Sequence, residues 1–188
     1  MTWVRRRRGM VELTLTRDEA HVVRALTSQV ATLLAPDGDR SEAGDSIEAL
    51  VDLAAEAVPA PDDPALKRLL PDAYGDDDAA AGEFRRLMDG ELRRNKVAAL
   101  ETVSDAVAAP LADPGGEDCV FTLGPDDTET WLQALNDVRL VLGTRLDVTE
   151  EMSELIESLG PDDPRLPLLL AYDWLGGLQE ALLQALDG

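Results

Sequence analysis

The spacing of apolar residues changes abruptly at Thr16, and that change limits what this chain can fold into. Before it, Val11, Leu13 and Leu15 alternate with Glu12, Thr14 and Thr16, the two-residue period of a half-buried strand. After it, Val22, Val23, Leu26, Val30, Leu33 and Leu34 fall on one face at helical spacing. This predicts a helix over 17–34, with Thr16 as N-cap and Asp18 and Glu19 in the first turn. The same switch recurs after "CVFTL" (119–123), where a helix is predicted over 127–142, ended by Gly143. Thr14, Leu15, Asp18 and Val30 match Thr122, Leu123, Asp126 and Val138 at one constant offset. That match is either an old duplication or the common form of a strand-to-helix junction.

Residues 2–8 read as a weaker strand that pairs with 10–16 around Gly9. The run Arg5, Arg6, Arg7, Arg8 suits an exposed edge, where charge blocks unwanted pairing. Turn residues fill 36–45, and a short helix is predicted over 46–57. Asp63-Pro64 opens another, with Asp63 as N-cap and Pro64 at the first helical position, ending near Leu70. Residues 79–108 form either one long helix or two, broken near Asp89-Gly90. Residues 109–118 read as a loop, and helices are predicted over 149–159 and 164–186. Strands are few and helices many. The expectation is a single domain over 1–188, mainly α (α+β), with a small antiparallel sheet built from an N-terminal hairpin and the later Cys119 strand.

Charge and composition exclude several functions. With 17 Lys+Arg against 38 Asp+Glu, the net charge is -21, which disfavours direct binding to DNA because phosphate affinity needs clustered cations. The four N-terminal arginines are the only basic cluster, and residues 9–188 alone carry -25. The cluster is either a solvated edge or a small patch that meets an acidic surface or nucleic acid. In a strand, only alternate arginines share a face. One cysteine, Cys119, allows no intrachain disulfide and no cysteine zinc site, and beside Glu117 and Asp118 it reads as an inert thiol. One histidine, His21, allows no imidazole cluster. There is no glycine-rich phosphate loop and no nucleophile elbow. Acidic pairs recur at 61–64, 75–78, 124–128 and 160–164, but none has calcium-loop spacing and three precede apolar-periodic helices, so they read as helix caps rather than metal ligands. The expectation is a protein that is not an enzyme, with no catalytic residue, no cofactor and no metal.

The start of the chain has basic residues without an apolar run behind them, so it does not read as a secretory signal. The most apolar segment, 166–186, is interrupted by Asp173 and Glu180 and reads as a buried or interface helix rather than a membrane span. A cytoplasmic location follows as an expectation. The preference for Arg over Lys, with abundant Ala, Asp, Leu and Gly, fits a high-GC bacterial genome.

The segment "WLQALNDVRLVLGTRL" (131–146) is the most specific. Trp131, Leu135, Val138 and Leu142 form a stripe, and Asp137, Arg139 and Arg145 are charges set among apolar neighbours. An arginine so placed reaches for an acidic partner across the core, and Asp173, beside Trp174, is the candidate. The result is either an internal ion pair that fixes helix packing or a polar anchor at a partner interface. The apolar C-terminal helix offers a possible homodimer face, at which Trp174 and Leu178 are expected.

Four blocks carry a resemblance to a known family: "RLLPDAY" (68–74), "EFRRLMDGELRRNK" (83–96), "WLQALNDVRLVLGTRL" (131–146) and "YDWLGGLQEALL" (172–183). On these the chain resembles an actinobacterial family long described as a domain of unknown function, whose members include AosR-type oxidative-stress transcriptional regulators. With the opening strand and first helix, the resemblance covers almost the whole chain. It implies a regulator or adaptor that acts by protein–protein contact, with a sigma factor or RNA polymerase as the implied partner. The redox-sensing version carries a pair of N-terminal cysteines as a thiol–disulfide switch. Here "WVRRRRGM" (3–10) stands in that place and holds no cysteine. The resemblance therefore implies the fold but not the dithiol mechanism. The alternatives are a small-molecule or metal-binding enzyme that uses the acidic loops, and a homodimer with a structural role.

Overall fold

In the computed structural model, described for residues 2–35, 63–70, 79–113, 115–116, 118–149 and 151–187, helices cover one face of a three-stranded sheet. Of residues 79–89 and 153 only the backbone is described. The strands are β1 (Trp3–Arg7), β2 (Met10–Thr16) and β3 (Asp118–Leu123), in the order β1-β2-β3, all antiparallel. The helices are α1 (Arg17–Leu34), α2 (Pro64–Leu69), α3 (Ala79–Leu111), α4 (Pro125–Arg145), α5 (Met152–Ser158) and α6 (Leu166–Asp187). This is the mainly helical α+β arrangement that the change of period predicts. The helix expected over 46–57 lies outside the described residues.

The register follows from alternation. Val11, Leu13 and Leu15 of β2 face inward beside Cys119, Phe121 and Leu123 of β3, all buried. A slip by one residue would turn every one of these side chains to solvent. β1 and β2 are joined by a two-residue turn in which Arg8 (φ 54) and Gly9 (φ 81) are both left-handed. That is the hairpin turn whose twist matches the strands, but it places an arginine where glycine or asparagine is least strained.

Thr16 begins α1 as expected. Its hydroxyl accepts from the Glu19 amide at 3.3 Å, and the Glu19 carboxylate accepts from the Thr16 amide at 2.7 Å, a reciprocal capping box. Partial burial works against the Glu19 carboxylate, but hydrogen bonds from Thr2 and Thr16 prevail and lower its pKa. α3 is continuous through Gly90, so of the two readings of 79–108 the single helix holds, and it extends to Leu111.

The helix expected to stop at Gly143 instead runs to Arg145. Gly143 is there for packing: a Cβ at that position would meet Tyr172 of α6 at 3.2 Å. The actual stop is Asp147, left-handed at φ 50, and the Val148 amide bonds back to the Gly143 carbonyl at 2.9 Å. This is the Schellman closure, made with an aspartate in the usual glycine position.

The core joins the inner sheet face to α1, α3, α4 and α6. Trp131, only 2% exposed, is among the largest buried side chains. Its ring lies 5.1 Å from that of Phe121, locking α4 onto β3. Arg17, which the sequence reading passed over, fastens the start of α1 to the end of α3. Its guanidinium donates to the carbonyls of Leu111 (2.9 Å) and Asp113 (2.7 Å), at the negative end of the helix dipole.

Candidate functional site

α4 places a row of charges inside the helical layer, and each of the segment's expected charges meets a different partner. Asp137 is completely buried, and its Oδ1 accepts from Lys96 Nζ of α3 at 2.6 Å. Burial pushes the Asp137 carboxyl above its ordinary pKa, and the Lys96 ammonium opposes that rise. The second oxygen, Oδ2, has no hydrogen-bond partner among the described residues.

Two turns further along, Arg145 Nη2 reaches Asp63 Oδ2 at 2.6 Å. Asp63 is 5% exposed and does two jobs: its Oδ1 accepts from the Ala65 amide at 2.8 Å, capping α2, while Oδ2 holds α4. The cap was legible in Asp63-Pro64, but the ion pair was not. Because it joins residues 82 apart, no local spacing announces it.

Arg139 lies between α4 and α6. Its guanidinium carbon sits 4.7 Å from the centre of the Tyr172 ring, and Nη1 donates to Gln179 Oε1 at 2.8 Å. Gln179 in turn donates to the Leu132 carbonyl at 3.3 Å. Gly176 makes room for this guanidinium, since a Cβ there would meet Arg139 Nη2 at 3.3 Å.

The expected partner of these arginines, Asp173, is exposed on α6 and pairs with neither in the ion pairs described. The angle around α6 explains this: Leu175, Leu178 and Leu182 take the buried face, and Asp173 falls on the other side. Leu178, expected at or near a homodimer face, is 3% exposed and packs in the chain's own core. Trp174 is half-buried, and its Nε1 donates to Thr2 Oγ1 at 3.3 Å, tying α6 to the start of the chain.

The acidic pairs sit at helix starts. Asp127 Oδ2 accepts from the Gly124 amide at 3.1 Å, and Asp163 Oδ1 accepts from the Arg165 amide at 2.9 Å. Hydrogen bonds from Arg165 lower the pKa of Asp163. The pair at 75–78 lies outside the described residues. No group of three or more His, Cys, Asp or Glu side chains among the described residues is placed to hold a metal ion. Burial raises the pKa of the Cys119 thiol, with Arg17 opposing, and its side chain faces the core at 1% exposure. No described helix is long and apolar enough to cross a membrane.

Residues 1–186 match the family described as Domain of unknown function (DUF2017). The chain is 30% identical to the oxidative stress regulator AosR of Mycobacterium tuberculosis (strain ATCC 25618 / H37Rv), across 93% of this chain and 81% of the relative. The protein of the same name in Mycobacterium bovis is similar at the same 30%, over the same shares. No solved structure matches.

Proposed function

We propose, for a chain that belongs to the DUF2017 family, a regulatory role in the response to oxidative stress, exercised by protein–protein contact. The observation that carries this reading is likeness along nearly the whole chain to relatives named as oxidative stress regulators. The physical chemistry of the chain agrees with it. Asp137, Arg139 and Arg145 of α4 each bond to a side chain of a neighbouring segment of the same chain. The body of the chain, at -25 over residues 9–188, complements a basic partner surface of the kind found on DNA-facing transcription proteins. A sigma factor or RNA polymerase is the partner proposed, in the cytoplasm, with the chain acting as a single domain and without binding DNA itself.

The signal does not pass through a disulfide within these 188 residues. The only cysteine is Cys119, and it is buried. A change in partner availability, or oxidation of the partner, is the proposed input. Affinity purification from the native host with mass spectrometry tests the reading. Recovery of a sigma factor, polymerase subunit or other transcription protein is the expected result, and recovery of none would count against it. A thermal-shift screen with divalent cations and metabolites tests the enzymatic alternative, which a reproducible stabilisation by one ligand would favour.

A further inference from the structure

Among the described residues, Val11, Leu13, Leu15, Cys119, Phe121 and Leu123 carry one side of the sheet into the helical core, and the other side faces outward. Four rows cross it. Trp3, Thr14 and Val120 form the first; Arg5, Glu12 and Thr122 the second; Arg7 and Met10 the third; Thr16 and the exposed Asp118, at the end away from the turn, the fourth. Trp3 (39%), Met10 (37%) and Val120 (57%) are among the few large apolar side chains exposed among the described residues. Single exposed apolar residues need no explanation, but here three share one face.

The same face carries Arg5 and Arg7 of the N-terminal arginine run. Arg5 stacks on Trp3, its guanidinium carbon 4.5 Å from a ring centre, and its Nε donates to Glu12 at 3.0 Å. Arg7 stands 66% exposed, 4.0 Å from the same Glu12, so one carboxylate faces two guanidinium groups. Arg8 adds a third cation at the turn, in a left-handed conformation that disfavours a side chain like its own. Thr14, in the middle of the face, has a buried hydroxyl with no hydrogen-bond partner among the described residues.

We propose that this outward face is a docking surface for an acidic, aliphatic-bearing segment of a partner polypeptide. Its occupant is argued from charge complementarity. Arg5, Arg7 and Arg8 outnumber the carboxylates of the face, Glu12 and Asp118, and Arg7 and Arg8 stand at the turn, the end away from Asp118; that end calls for carboxylates, and Trp3, Met10 and Val120 call for apolar side chains between them. Nucleic acid fits less well. A long polyanion would extend past a face three strands wide onto a body of net charge -25, whereas a short acidic segment need not. The proposal goes beyond the regulatory reading, which places a basic partner surface against the acidic body.

Fluorescence anisotropy on the full chain tests it with three labelled probes of equal length. These are a peptide of alternating Glu and Leu, a Gln–Leu counterpart, and a single-stranded DNA oligonucleotide. Binding of the Glu–Leu peptide is expected to be at least tenfold tighter than that of either other probe. The double variant Arg7→Glu/Arg8→Glu and the variant Val120→Lys should each weaken it by about tenfold or more. Arg24→Glu, on the exposed side of α1, should leave it unchanged, and circular dichroism checks that each variant is folded. No binding of the acidic peptide, equal or tighter binding of the oligonucleotide, or binding indifferent to the sheet variants overturns the proposal. The regulatory reading stands or falls separately, on the partners recovered from the native host.

Discussion

The ion pairs of the helical layer and those of the outward sheet face use the same chemistry for opposite ends. Lys96 and Asp137 meet at 2.6 Å with side chains 13% and 0% exposed, while the cations paired with Glu12, Arg5 and Arg7, are 55% and 66% exposed. In the first setting water is gone, so each charge depends on the other, and loss of one leaves a buried charge uncompensated. In the second, water and salt compete for both partners, and the pair adds little stability. The charge an interior site cannot release serves the fold, and the charge a surface holds loosely is free for contact.

The sharpest break of this contrast is Lys96→Met, which strands a fully buried carboxylate. We expect a loss of about 3–5 kcal/mol in urea unfolding. The loss should depend on pH. The Asp137 carboxyl is raised above its ordinary pKa, so the folded state holds a proton more readily than the unfolded state. Stability therefore falls as pH rises through the interval between the ordinary and raised values. Removing Lys96 widens that interval, so the deficit of Lys96→Met should shrink as pH falls from about 7 to about 5. A deficit constant across that range would mean that Asp137 does not carry the cost.

Asp63→Ala removes a helix cap and one half of a buried pair together, and should cost roughly 2–4 kcal/mol by the same assay. Asp63→Asn keeps a capping oxygen, so the difference between the two variants isolates the cap. Asp147→Gly relieves a left-handed aspartate and should stabilise by about 1 kcal/mol, read as a rise in melting temperature. At the low end, Arg5→Ala should change stability by less than ~1 kcal/mol, and the change should vanish in high salt. A larger effect that survives salt would erase the distinction between the two regions.

The elements were legible wherever one segment decides its own structure. The alternation of Val11, Leu13 and Leu15, the Thr16–Glu19 cap and the Asp63-Pro64 start are all local, and each appears as read. Gly143 misled because a glycine has two uses. As a helix stop it is a local signal, but here it admits Tyr172 from α6, a contact no window around residue 143 contains. The site was half legible for the same reason. Asp137, Arg139 and Arg145 stood out as charges among apolar neighbours, but their partners Lys96, Gln179 and Asp63 lie 41, 40 and 82 residues away. Asp173 lies on α6, the helix that supplies Gln179 to Arg139, but on its exposed side. The outward sheet face was visible only as a run of arginines, since its apolar members come from three strands that the fold must first align.

The central claim is that the buried charges of α4 are architecture, and a double-mutant cycle on Lys96 and Asp137 tests it most directly. Met at 96 with Leu at 137 replaces an ion pair by apolar packing of similar volume, which buried pairs tolerate well. The account predicts that Lys96→Met/Asp137→Leu recovers most of the stability lost in Lys96→Met and keeps the partners recovered with the unaltered chain. A double variant as unstable as the single one, or one that folds fully and loses those partners, would contradict it.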